Sequence, residues 1–130
     1  MCGIVGIVSK DDCINDIVSG LHSLEYRGYD SSGLVTINNN QFEYLKDIGK
    51  ISNLEKNLKK TKQKGKIVIA HTRWATHGKP SVKNSHPFIK DNCALVHNGI
   101  IENYTDLIKY YLINKKNLKS DTDSEVIAEI

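Results

Sequence analysis

Three cysteines, two prolines, one tryptophan and two arginines are all that this 130-residue sequence contains of those types. Each scarcity excludes something. Cys2, Cys13 and Cys93 are an odd number of thiols, and no basic leader stands before the short apolar start from Gly3 to Val8, so a disulfide-stapled secreted scaffold is not expected. No apolar run approaches the roughly 20 residues of a membrane span, so no membrane partner is expected and the chain is placed in the cytoplasm. No repeat and no low-complexity linker divides it. What is present, 39% hydrophobic and 25% charged residues, belongs to a folded domain rather than a disordered one. The length suits one core and is too short for two ordinary ones.

Arginine is scarcer than the charge suggests. The net charge is +3, yet of the 18 basic residues only Arg27 and Arg73 are arginines, and both fall in non-periodic segments near glycine. A guanidinium presents a planar fork that grips a carboxylate through two parallel hydrogen bonds, which lysine cannot do. These two residues are candidate ligand contacts, with ordinary ion pairs as the alternative. Lys56, Lys59, Lys60, Lys62, Lys64 and Lys66 follow one another with no acid among them. They read as a polyanion patch or as a solvated helix end. Interleaved aromatics and nucleic-acid motifs are missing, so no nucleic-acid partner is expected.

Periodicity outlines the elements. Gly3 to Val8 reads as a buried strand with Cys2 at its tip. Asp12 is a possible N-cap for a helix on which Ile14, Ile17, Val18, Leu21 and Leu24 recur at helical spacing. Residues 26–33, YRGYDSSG, break both periods, and strands at 34–37 and 41–46 flank three asparagines as a hairpin. A shorter helix carries Ile51, Leu54 and Leu58, and 67–70 is another buried strand. The stretch 71–91 holds both prolines and reads as a long loop, a length usually reserved for function or disorder. A strand at 93–96 ends at His97, a helix carries Leu107, Ile108, Tyr111 and Leu112, and Thr122 with Glu125 reads as a capping box opening a last helix.

The chemistry begins at Cys2. Once Met1 is removed, this residue is both a thiol and the chain's own α-amine. Free thiols and α-amines titrate within about one unit of each other, so proton transfer between them costs only about 1 kcal/mol and needs no histidine. Alone, Met-Cys is also an ordinary chain start. Two strand exits add to it. Arg73, Thr76 and His77 follow the strand at 67–70, and Asn98-Gly99 follows the strand at 93–96. A side-chain amide beside an unhindered backbone N–H can form an oxyanion hole, and Asn-Gly can equally be a tight turn. His71, His77, His86 and His97 cluster in the sequence, but their spacings fit no common ligand pattern, so no metal is expected.

The strings MCGIVG, LEYRGYDSSG, IAHTRWATHG, HNGIIEN and SDTDSEVIA occur in that order over essentially the whole chain. Together they resemble the glutaminase domain of the N-terminal-nucleophile, class II glutamine amidotransferases. The three middle strings resemble the branch that makes glucosamine 6-phosphate from fructose 6-phosphate, rather than the phosphoribosyl, asparagine or glutamate synthase branches.

The resemblance implies an α+β, Ntn-hydrolase-like four-layer αββα sandwich, of which 1–130 would be about the first half, with the sugar isomerase domains absent. It implies L-glutamine as substrate and no cofactor. Cys2 would attack the carboxamide, and Asn98 with Gly99 would hold the oxyanion. Arg73 would grip the α-carboxylate and Asp123 the α-amino group, although an acid there also suits a helix N-terminus. Trp74, Thr76 and His77 would close over the substrate. Arg27 and His86 would lie near the site, and the rest of the machinery could reside on a separate chain. A class II glutaminase with another acceptor, and a non-catalytic remnant acting as an interaction module, remain as alternatives.

Overall fold

The computed structural model describes residues 1–76 and 78–130. Alternating β-branched residues build its main sheet. Strands β1 (Gly3–Val8), β2 (Ser31–Asn38), β3 (Gln41–Ile48) and β4 (Ile67–Arg73) pair in the order β1-β4-β2-β3, antiparallel throughout. Because side chains alternate across a sheet, one face collects Val5, Ile7, Leu34, Leu45, Val68 and Ala70. Helices α1 (Ile14–Leu24) and α2 (Ile51–Thr61) cover that face. Ile17, Leu21, Ile51 and Leu54 are fully buried there and form the core with the sheet residues. Each such side chain contributes about 1.5–3 kcal/mol.

Among the described residues, the opposite face is covered most fully near one end. Register places Ile4, Gly6 and Val8 beside His71, Ile69 and Ile67, with His71 and Ile69 in turn beside Gly33 and Val35. His86 and Phe88 lie over the Gly33 end, where a Cβ on Gly33 would come within 2.1 Å of the His86 carbonyl oxygen. Only glycine admits that approach. At the other end Val8, Ile37 and Ile67 are exposed. A small hairpin of β5 (Phe88–Lys90) and β6 (Cys93–Leu95), α3 (Tyr104–Tyr110) and α4 (Ser124–Glu129) complete the fold.

Several sequence expectations need correction. The irregular segment at 26–33 ends earlier than expected, because β2 begins at Ser31. The stretch 71–91 is not all loop: β4 runs on through Arg73, and β5 lies within it, unseen because three residues carry no measurable period. Asp12 does not cap α1. Its Oδ1 accepts the Gly65 N–H at 2.8 Å, while Cys13 occupies the cap position and donates its S–H to the Gly65 carbonyl. Burial, then Asp12 and Asp16, push the Cys13 thiol pKa up, so this cysteine is inert packing.

The capping box is also absent. Asp123, not Thr122, precedes α4, and the Glu125 carboxylate accepts from Lys119 N, Ser120 N and Ser120 Oγ. A carboxylate with three donors in the preceding turn has no reason to reach back for the cap. For α2 the N-terminal acceptor comes from elsewhere in the chain, since Glu25 Oε1 receives the Ile51 N–H at 3.0 Å.

Candidate functional site

Pairing of β1 with β4 sets Gly3 opposite Thr72, so the next positions outward bring Cys2 against Arg73 and Trp74. Cys2 Sγ lies 3.4 Å from Trp74 N and 3.6 Å from Trp74 O. The N–H is oriented to support negative charge on sulfur. The Cys2 backbone is held too: its carbonyl accepts from Arg27 Nε and from Asn98 Nδ2, each at 3.1 Å. Arg27, whose role the sequence left open, thus fixes the Cys2 main chain from a single 3-10 turn, Glu25–Arg27, that follows α1.

Glycine makes this approach possible. A Cβ on Gly28 would sit 2.6 Å from the Arg73 carbonyl carbon and 2.8 Å from Trp74 N. The turn after α1 can press on the end of β4 only with no side chain there. Thr72 Oγ1 donates to the Gly28 carbonyl, and the Asp30 carboxylate accepts from Ala75 N–H and from Ser31 Oγ. Sequence reasoning did not single out Asp30, although it lies within the string LEYRGYDSSG one residue before β2.

A recess of about 20 Å³ joins Cys2, Arg73, Trp74, Thr76, Gly99 and Asp123. His86, His97, Thr122 and Ser124 line it as well. Its free volume is about that of one water. Larger hollows exist, 450 Å³ between α1 and α2 and 680 Å³ beside the turn at Asn38 and Asn39, but they share no lining residue with it. They are surface grooves with no cysteine in their lining. Arg73 is buried in the recess wall and donates from a guanidinium N–H to the Gly78 carbonyl at 3.2 Å. Trp74 and Thr76 are exposed at the rim, and Trp74 meets the Tyr29 ring edge-on at 6.0 Å. His77 lies outside the described residues.

On the other side, Asn98 and Gly99 leave β6 without turning back into a strand, so they form no hairpin. Asp123 is buried at the start of α4, and its Oδ2 accepts the Ile101 N–H at 2.6 Å. Beneath the recess, His71 and His86 stack at 4.0 Å. His71 Nε2 bonds the His97 carbonyl at 3.0 Å, whereas neither ring nitrogen of His86 has a partner among the described residues. Burial pushes the pKa of His71 down to about 4 and that of His86 to about 2, with neighbouring positive groups adding to both. Both rings are neutral at pH 7. No group of three or more His, Cys, Asp or Glu suited to a metal occurs among the described residues.

Residues 37–128 match the family model described as glutamine amidotransferases class-II. The whole chain aligns with glutamine–fructose-6-phosphate aminotransferase (isomerizing) from Wigglesworthia glossinidia brevipalpis at 53% identity and from Francisella tularensis subsp. tularensis at 50%, covering 22% of each. The chain therefore spans about a fifth of these relatives' length. Among solved structures, glutamine phosphoribosylpyrophosphate amidotransferase from B. subtilis, complexed with ADP and GMP, superposes on 98% of the chain with a TM-score of 0.80 at 30% identity, the chain covering 28% of it. A structure described as the allosteric regulatory enzyme of purine biosynthesis gives 0.82 over 99% of the chain and 29% of its own length, also at 30% identity.

Proposed function

The chain belongs to the class II glutamine amidotransferases, and from that premise we propose that Cys2 hydrolyses the side-chain amide of L-glutamine. The observation that carries this reading is the convergence of Cys2, Arg73, Gly99 and Asp123 on one recess from four separate segments. After Met1 is removed, the thiol gives its proton to the α-amine and its sulfur bonds to the carboxamide carbon. The oxyanion takes the Gly99 N–H and the second N–H of Asn98, whose first is spent on the Cys2 carbonyl. The amine's proton passes to the leaving nitrogen, the C–N bond breaks and ammonia departs. Water then attacks the thioester, the C–S bond breaks, and glutamate and the thiol are regenerated.

Arg73 and Asp123 give the recess a cation on one wall and an anion on the other. That layout favours a free amino acid over a glutamine within a peptide, which has neither charge to offer. A carboxylate has about four acceptor positions, so Asp123 can hold Ile101 and an ammonium together. With room for only about one water, glutamine enters when the rim formed by Trp74 and Thr76 moves outward.

The ammonia is destined for fructose 6-phosphate, giving glucosamine 6-phosphate. Support comes from identities of 45–53% to relatives named for that reaction, against 30% to the phosphoribosyl enzyme. Residues 1–130 form part of the glutaminase domain. The exposed apolar end of the sheet, with Val8, Ile37 and Ile67, suits a second sheet laid across it. That sheet and the sugar site lie outside these residues or on a separate chain. No described helix is long and apolar enough to cross a membrane.

The test is labelling with a diazo-ketone analogue of glutamine, read by mass spectrometry. The expected result is one adduct, on Cys2, in protein lacking Met1. Labelling elsewhere, or none in a folded sample, would overturn the reading.

A further inference from the structure

His97 and Ser124 take no part in the chemistry above, yet they join its two halves. His97 Nδ1 lies 2.9 Å from Ser124 Oγ, and Ser124 Oγ lies 3.5 Å from Asp123 Oδ1. A serine that donates to the carboxylate accepts from the imidazole, which places the His97 proton on Nδ1. The ring's other edge faces Gly99, where a Cβ would fall 2.7 Å from His97 Nε2. The His97 carbonyl is itself fixed by the buried His71 at 3.0 Å. One imidazole therefore touches the Gly99 segment on one side and the carboxylate's serine on the other, and is anchored to β4 from below.

We infer that His97 and Ser124 are positioning residues that hold the Asp123 carboxylate in register with Gly99, and so set the preference for a substrate carrying a free α-amino group. The inference rests on the glutaminase reading and deepens it. The distance from an amino acid's α-nitrogen to its side-chain carbonyl is bounded by its own chain. A site that reads both ends needs its carboxylate and its oxyanion donors at one fixed separation. The serine hydroxyl supplies that link because, among the described residues, it touches both the ring and the carboxylate. Ser124 is 3% exposed, so water cannot readily replace the bond once it is lost.

The experiment compares kcat/KM for L-glutamine with that for 4-carbamoylbutanoate, the same molecule without the α-amino group, in the longest natural chain carrying these residues. Wild type prefers glutamine. Ser124→Ala and His97→Gln are expected to shrink that preference about tenfold, chiefly through KM for glutamine, with little change toward the desamino compound. His97→Asn, whose side-chain amide can place a donor near the Nδ1 position, is expected to restore most of the preference. A loss of general packing would slow both substrates alike.

An unchanged ratio in Ser124→Ala, with wild-type selectivity intact, would overturn the inference and leave the glutaminase reading standing. Absence of glutamine hydrolysis and of Cys2 labelling in the wild type would instead overturn that reading.

Discussion

Acidification tests the buried histidine pair most directly. His71 is fully buried and His86 is 5% exposed, with native pKa values of about 4 and about 2. An unfolded histidine titrates near 6.5. Because the native values are depressed, the unfolded chain binds protons first as pH falls. The stabilisation is intact above about 6.5 and drains away below it. At pH 5 each histidine has cost the native state about 2 kcal/mol relative to pH 8, so the pair removes about 4 kcal/mol. That is a large share of the roughly 5–15 kcal/mol that holds a domain together.

Urea unfolding from pH 8 to pH 5 should show a slope of about 2.4 kcal/mol per pH unit near pH 5.5 from these two groups. His86→Phe, which keeps an aromatic ring against His71 and Phe88, should halve it. Imidazole resonances followed by NMR supply the site-specific check, since two of the five histidines should not titrate above pH 5 in the folded chain. A flat stability profile, or titration of either buried ring near 6.5, would refute the reasoning.

Three other outcomes are expected. Cys2→Ala should abolish both glutamine hydrolysis and diazo-ketone labelling while leaving the unfolding midpoint nearly unchanged, because Cys2 is only half-buried; surviving hydrolysis would assign the nucleophile elsewhere. Gly28→Ala forces a methyl group against the Arg73–Trp74 peptide and should cost about 1–3 kcal/mol, with slower labelling of Cys2, so a variant with wild-type melting and labelling would contradict that close approach. Leu54→Ala empties a fully buried position between α2 and the sheet and should cost about 2–5 kcal/mol in denaturant unfolding, a loss that circular dichroism would follow.

What could be read in the sequence was what repeats. Ile14, Ile17, Val18 and Leu21 recur at helical spacing, and β1 and the β2–β3 hairpin carry enough residues to show theirs, so α1 and most of the sheet were visible. β5 and β6, at three residues each, offer little or no period, and one of them went unseen. The capping expectations failed for a shared reason. Asp12 and Glu125 are each adjacent to a helix start, but each found a donor in a different segment, and a linear pattern does not record such competition. At the site, Arg73 stood out because arginine is rare in this lysine-rich chain, whereas Trp74 and Asp123 were identified through the family resemblance. Arg27, Asp30 and Ser124 act through contacts with residues 25, 45 and 27 positions away, and only the folded geometry displays those.

The neutral histidines also bear on how the recess would recognise its substrate. Arg73, Asp123 and His86 all line the recess, and His86 stacks on the buried His71. Were either ring protonated, a second cation would sit beside Arg73 and draw the substrate carboxylate downward, away from the guanidinium fork. Burial prevents this by removing the charged forms at pH 7. The field across the recess is then dominated by one buried cation and one buried anion, a dipole that matches the α-carboxylate and α-ammonium of a free amino acid in one orientation. Protonation of His71 or His86 should therefore disturb the recess only near the pH at which the fold itself fails.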